Sequence, residues 1–311
     1  MAEPFPRYIG SKLAHIRKVI YLRAGRSDIG SVGNWHRLFR LILHLFGYAQ
    51  ASHKEEAMLL ELKSEIIYGP VQSRRLGPSM GVNILPSVQK GCTFDCLYCQ
   101  YGRSSHKSKD ELNATAYPFP PVSEVLHAVE QALKNLSQPV RYITFSGNGE
   151  PTLHPNFKEI VEGIRQVRDR FSPASKTAIL SNSTTVNDPI VREALAMLDA
   201  RIMKLDAGNQ EMFAHYNRPA RRITLEDTVS GLASMADVTI QSLFTKGPGG
   251  NFSPGHLSAW VKQIKRIKPL FVQVYTLDRD SPTKTLYSLD KRERLHICSL
   301  LEQENITAQD Y

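Results

Sequence analysis

Cysteine is scarce, four in 311 residues. That excludes a disulfide-stapled scaffold, which spreads an even set of cysteines along a short secreted chain. Long apolar runs are missing as well. No stretch reaches the ~20 apolar residues of a membrane-spanning helix. The strongest, LFRLILHLFGYA at 38–49, is short and broken by Arg40 and His44. The first residues lack the basic start and apolar run of a secretory signal. A cytoplasmic protein without membrane contact is therefore expected. No internal repeat or long low-complexity tract interrupts the chain.

Acidic side chains are nearly absent from one region. Residues 1–54 hold nine basic and two acidic residues, which is +7 of the chain's net +9. The basic balance thus says little about the remaining chain, and its bearing on nucleic acid rests on that segment. Residues 1–57 read as a basic extension with two amphipathic helices, near 10–24 and 34–50. A solvated extension, a targeting segment or a functional start near Met58 each fit that composition. Residues 58–311 form the catalytic domain in this reading.

What is present from about residue 79 onward is alternation. Apolar, β-branched runs at 81–85, 140–146, 176–181, 200–206, 237–244 and 270–277 read as strands. Segments with helical spacing lie between them, at 122–136, 155–170, 188–198, 224–235, 254–267 and 290–303. Pro121, Pro155 and Pro254 stand near helix starts, where proline is tolerated. Strands each followed by a helix argue for an α/β fold with parallel strands, a partial (β/α)6 TIM-like barrel behind an N-terminal helical extension. Chemistry in such folds sits on the loops after the strand C-termini. The distinctive short motifs fall there: a cysteine cluster, GNGEPT, NSTT and AGN.

Three of the four cysteines, Cys92, Cys96 and Cys99, lie in GCTFDCLYCQ. Thiolates at this spacing wrap one face of an iron–sulfur cluster and leave one iron open. Structural zinc is the alternative, with His106 or His127 as fourth ligand, although zinc sites commonly pair two C-x2-C units. Three unligated thiols fit such tight spacing poorly. The fourth cysteine, Cys298 in LHICSLL, falls on an apolar helix face and reads as core.

The run Cys92-Thr-Phe-Asp-Cys96-Leu-Tyr-Cys99 resembles the C-x3-C-x-aromatic-C signature of the radical S-adenosylmethionine superfamily, with Tyr98 at the aromatic position. FSGNGEPTLHP at 145–155 is similar to that superfamily's glycine–glycine–glutamate motif. YGPVQSRRLGPSMGVNILP at 68–86, LSNSTT, KLDAGN and YNRP resemble a subgroup related to wyosine-type tRNA-modifying enzymes. The likeness spans about residues 65–280. It implies a [4Fe–4S] cluster on Cys92, Cys96 and Cys99, whose open iron binds S-adenosylmethionine. It also implies reductive cleavage to a 5′-deoxyadenosyl radical that takes hydrogen from a substrate, with a flavodoxin- or ferredoxin-type electron donor.

Under that resemblance Tyr98, Gly147, Asn148, Gly149, Glu150, Ser181, Asn182, Lys204 and Asp206 are cofactor-binding candidates. Gly147 and Gly149 admit a close backbone approach, and Glu150 accepts a hydrogen bond from the cofactor's amino group. Ordinary turn chemistry also accounts for GNGEP and for Ser181–Asn182, and pairing with neighbouring charges accounts for Lys204 and Asp206. Wyosine-type enzymes carry further cysteines upstream, and none precedes Cys92 here. One cluster is therefore expected. The substrate is open, with RNA one candidate and a non-catalytic iron–sulfur or RNA-binding module the contrasting class. Arg74 and Arg75 suit a phosphate or acid. FTKGPGGN at 244–251 reads as a mobile substrate loop or a plain turn.

Overall fold

The computed structural model describes residues 59–104, 119–279 and 281–311. The extension read at 1–57 and the zinc ligand read at His106 lie outside the described residues. Among the described residues eight strands form one sheet in sequence order. They are β1 (Ile67–Ser73), β2 (Gly77–Val82), β3 (Tyr142–Phe145), β4 (Lys176–Ser181), β5 (Ala200–Lys204), β6 (Val238–Leu243), β7 (Phe271–Tyr275) and β8 (Ala308–Asp310). β1 pairs antiparallel with β2, and every later neighbour is parallel. The sheet does not close, because β1 and β8 remain its edges. The architecture is a partial barrel.

The crossover helices are α1 (Val122–Lys134), α2 (Phe157–Phe171), α3 (Pro189–Ala196), α4 (Leu225–Ala233), α5 (Pro254–Ile267) and α6 (Lys291–Glu302). Their starts are written in the sequence. Asp188, Thr224 and Ser253 cap α3, α4 and α5 through their side chains, and Asp290 with Glu293 forms a capping box on α6. Pro254 occupies the first turn of α5, where its missing N–H costs nothing. One face of each helix closes over the sheet. Val125, Ile160, Ile164, Leu195, Val229 and Trp260 pack against Ile143, Phe145, Ile179, Met203 and Ile240 in one core. Cys298 is buried there too, on α6.

All six expected strands are present, one as expected, four shortened at their ends and one shifted. The run read at 81–85 is β2 at Gly77–Val82. Asn83 ends it by turning its own side chain onto the backbone, Nδ2 donating to the Leu85 carbonyl at 3.1 Å. β1 and β8 go unpredicted because their composition hides them. β1 carries Gly69 and Pro70 and is mostly exposed, and β8 is the polar Ala-Gln-Asp. Among the described residues no helix is long and apolar enough to cross a membrane.

Candidate active site

The cysteine loop leaves β2 and crosses the C-terminal mouth of the sheet. Two other segments stitch it down. The first is the turn after β3. Gly91 donates its N–H to the Asn148 carbonyl at 2.9 Å, and the Gly91 carbonyl accepts from Glu150 N–H at 2.8 Å. Gly149 has φ +145°, and a Cβ there would strike the Gly91 carbonyl oxygen. A Cβ added at Gly147, at φ +133°, would lie 2.5 Å from Asn83 Oδ1. Both glycines therefore admit the chain's own backbone and side chain, where a ligand had been expected.

The second segment is a π-helical turn, Phe213–Asn217. Asp95 and Leu97 donate backbone N–H groups to the Asn217 and Tyr216 carbonyls at 3.0 and 2.9 Å, and Ala220 N–H reaches the Thr93 carbonyl at 2.8 Å. π-turns frequently mark functional positions. This one aims Asn217 Nδ2 at Cys96 Sγ, 3.4 Å away. Asn182 Nδ2 lies 3.5 Å from Cys92 Sγ, and Phe94 N–H donates to the same sulfur at 3.4 Å.

Cys92, Cys96 and Cys99 share a cavity of about 340 Å³ with Tyr98, Gly147, Gly149, Glu150, Ser181, Asn182 and Lys204. Ten of the twelve expected residues thus line one cavity, and the other two stand behind it. Asn148 is fully buried and turned away, its amide bonded to the Lys63 and Pro86 backbone. Asp206 lies beneath the floor, accepting from Tyr98 Oη, from Asn217 Nδ2 at 2.8 Å and from Leu243 N–H at 2.8 Å.

Glu150 is 1% exposed, and burial raises its pKa against the pull of its donors. Oε1 accepts from Thr152 N–H, Thr152 Oγ1 and Ser181 Oγ at 3.1, 2.7 and 3.0 Å. Oε2 takes only Asn182 N–H, so this oxygen keeps accepting capacity toward the cavity. Burial would lower Lys204, but Asp206 at 3.6 Å and Tyr275 Oη at 2.8 Å outweigh it and hold the ammonium charged.

Burial pushes the Cys92 thiol up to about 11 and Cys96 to about 12. Bare thiols so placed stay protonated, whereas a bound metal deprotonates them outright. Lys90, which the sequence reading overlooked, supplies the compensating charge. It is 4% exposed, donates to the Gly102 carbonyl at 2.9 Å and lies 3.7 Å from Asp95. Burial lowers its pKa, but the negative charge that Cys92, Cys99 and Cys96 carry once ionised, together with Asp95, more than restores it.

Among the described residues no three His, Cys, Asp or Glu side chains converge as one metal ion requires. The three thiols instead spread around the cavity, as ligands to separate irons of one cluster do. His127, an alternative zinc ligand, is exposed on α1 and off the cavity wall. The donor set fits a [4Fe–4S] cluster. The loop at 244–251 stands apart from the cavity. Asn251 pins it, donating to the Asp206 and Leu243 carbonyls at 2.9 and 2.8 Å, and Lys246 pairs with the Tyr287 backbone. It has the bonding of a fixed turn. Arg74 makes an exposed ion pair with Asp278, whereas Arg75 lines the cavity.

Comparison with known proteins agrees with this geometry. A UPF0026 protein of Helicobacter pylori is 31% identical over 224 residues, covering 70% of this chain and 68% of that protein. A protein of Brachyspira hyodysenteriae described as GTPase Obg is 30% identical over 238 residues, but this chain spans only 33% of its length. Two solved structures share the fold at 13% identity. Streptococcus suis SuiB bound to S-adenosylmethionine gives a TM-score of 0.53 over 98% of this chain and 61% of that one. A radical SAM methyltransferase from Sphaerobacter thermophilus gives 0.51 over 75% and 65%. The family model described as the radical SAM superfamily matches residues 87–254, more than half of the chain. The chain belongs to the radical SAM superfamily.

Proposed function

We propose that the protein is a radical enzyme whose cavity takes a [4Fe–4S] cluster on Cys92, Cys96 and Cys99, with S-adenosylmethionine beside it. The superfamily uses both groups. The observation that carries the reading is the convergence of the cysteine loop, the Gly147–Glu150 turn and the end of β4 on one cavity. Bound there, the two groups supply one-electron cleavage of a C–S bond and abstraction of a hydrogen atom from a second substrate.

The chain's own tasks follow from its geometry. Glu150 Oε2 receives the cofactor's ammonium by a charge-assisted hydrogen bond. Ser181 and Asn182 hold Glu150 and the Cys92 end of the loop in register. Lys204, fixed by Asp206 and Tyr275, offers a positive charge to a carboxylate or ribose oxygen. Buried aromatic side chains, Tyr98 against Tyr216 at 5.1 Å, screen the floor from water. A flavodoxin- or ferredoxin-type protein delivers the electron. RNA remains a candidate substrate through the basic first 54 residues alone, and steep salt dependence would mark such binding.

The test is anaerobic reconstitution with iron and sulfide, reduction with dithionite, addition of S-adenosylmethionine and mass-spectrometric assay of 5′-deoxyadenosine. Wild type forms it and Cys99→Ala, lacking a ligand, does not. Binding of zinc in place of iron, or equal product from both proteins, overturns the reading.

A further inference from the structure

The cavity has a second wall, which meets the residues assigned to the cofactor at Lys204, whose Nζ donates to Tyr275 Oη at 2.8 Å. This wall is formed by Arg75, Gln241 and Tyr275. Arg75 stands in the turn between β1 and β2 and reaches across to the opposite strands. Its Nη1 donates to Gln241 Oε1 on β6 at 2.8 Å, and its guanidinium carbon lies 4.4 Å from the Tyr275 ring centroid on β7. The cavity thus bridges the two arms of the open sheet at this point. Cysteine-loop, β3 and β4 residues occupy the other side, with Lys204 of β5 between.

We infer that Arg75 is the anchor for an oxyanion, a carboxylate or phosphate, on the second substrate. This rests on the proposed function of the same cavity. Stacking on Tyr275 and the bond to Gln241 fix the guanidinium plane, and among the described residues only Nη1 has a hydrogen-bond partner. A fixed fork with free donors matches a planar or tetrahedral oxyanion. Among the described residues Arg75 makes no ion pair, in contrast with its neighbour Arg74 on Asp278. Among the described residues Glu150 is the only carboxylate that lines the cavity, and it stands on the cofactor side with Oε2 assigned to the ammonium, while Asp206 lies under the floor, bonded to Tyr98 and Asn217. Lys204 adds a second cation, 5.4 Å from the same Tyr275 ring that carries Arg75.

The experiment is calorimetric titration of the reconstituted full chain, saturated with S-adenosylmethionine, with inorganic phosphate and separately with malonate. Wild type binds at least one of them, and the preferred anion tells a phosphorylated substrate from a carboxylic acid. Arg75→Gln weakens that binding roughly tenfold and Arg75→Lys roughly threefold, as loss of one charge-assisted contact predicts. Arg74→Gln binds as wild type does. Cluster absorbance of each variant reports that the cavity is assembled. The inference is overturned if wild type binds neither anion, if Arg75→Gln binds unchanged, or if Arg74→Gln loses as much. It is also overturned if Arg75→Gln weakens S-adenosylmethionine and leaves the anion alone, since Arg75 would then belong to the cofactor. Failure of the proposed function reads separately, as absence of 5′-deoxyadenosine from wild type.

Discussion

Asn217 divides one amide between a thiol and a carboxylate, Cys96 Sγ at 3.4 Å and Asp206 Oδ2 at 2.8 Å. Hydrogen bonds to cluster sulfurs favour the reduced, more negative state and raise the reduction potential. Asn217→Ala therefore shifts the reconstituted cluster to a more negative potential by tens of millivolts, where about 59 mV is tenfold for one electron. Spectropotentiometry measures it, and an unchanged midpoint would deny Asn217 this influence. Under the proposed function Glu150 acts on the other partner. Glu150→Ala keeps the cluster, since no thiol is bonded to that carboxylate, but loses the acceptor facing the cofactor's ammonium. We expect S-adenosylmethionine affinity to fall by about tenfold or more, with iron content unchanged. Equal affinity in the two proteins would remove Glu150 from the cofactor site.

Among the elements, the turn after β3 and the cysteine loop behave as one unit. Gly149 has no room for a side chain and holds a φ that L-residues rarely adopt. Gly149→Ala combines backbone strain with a clash against the Gly91 carbonyl, on the order of 3 kcal/mol together. Because Gly91 precedes Cys92, the variant should lose iron during reconstitution as well as lowering the urea midpoint. Full cluster occupancy in a protein of wild-type stability would separate the two motifs. Much of this site was legible in the sequence. The three cysteines are adjacent in the chain, and GNGE follows a clear strand. Gln241, Tyr275 and Asn217 were not, because each arrives from a different element and only the fold brings them together, and Lys90, two residues before Cys92, shows its role only through its burial. Asn148 and Asp206 were legible as members of the motifs but not in orientation. A sequence places Asp206 after β5, yet only the register with β6 turns it under the floor toward Leu243. The edge strands escaped for a related reason, since β1 lacks the buried alternating face by which a strand is read.

Across the whole molecule, chemistry and stability occupy opposite ends of the strands. The cavity is at the C-terminal ends, and a charged knot lies at the N-terminal ends of β4 and β5. There Asp199 Oδ2 accepts from Arg168 Nη1 at 2.9 Å, Thr177 N–H at 2.7 Å and Thr177 Oγ1 at 2.9 Å. Arg168, from the last turn of α2, also donates to the Ser175 carbonyl at 3.0 Å. The knot ties α2, β4 and β5 where parallel barrels commonly invest in stability. Partial burial works to raise the Asp199 pKa, but the Thr177 and Arg168 donors outweigh it and hold the carboxyl below its ordinary 3.8. A depressed carboxyl pKa stabilises the fold fully above the unfolded value, and the contribution disappears as pH falls through the folded one. Asp199→Asn, which keeps the shape and removes the charge, should cost about 1 kcal/mol at pH 7, a low figure because the side chain is 39% exposed and water screens it. The gap between wild type and variant should hold from pH 7 to about pH 5 and close below 3.8. Urea midpoints along that pH series decide it. A gap that stays constant into acid would mean that the knot acts by shape alone. Cluster absorbance unchanged in the variant at pH 7 would show that the two ends of the sheet work independently.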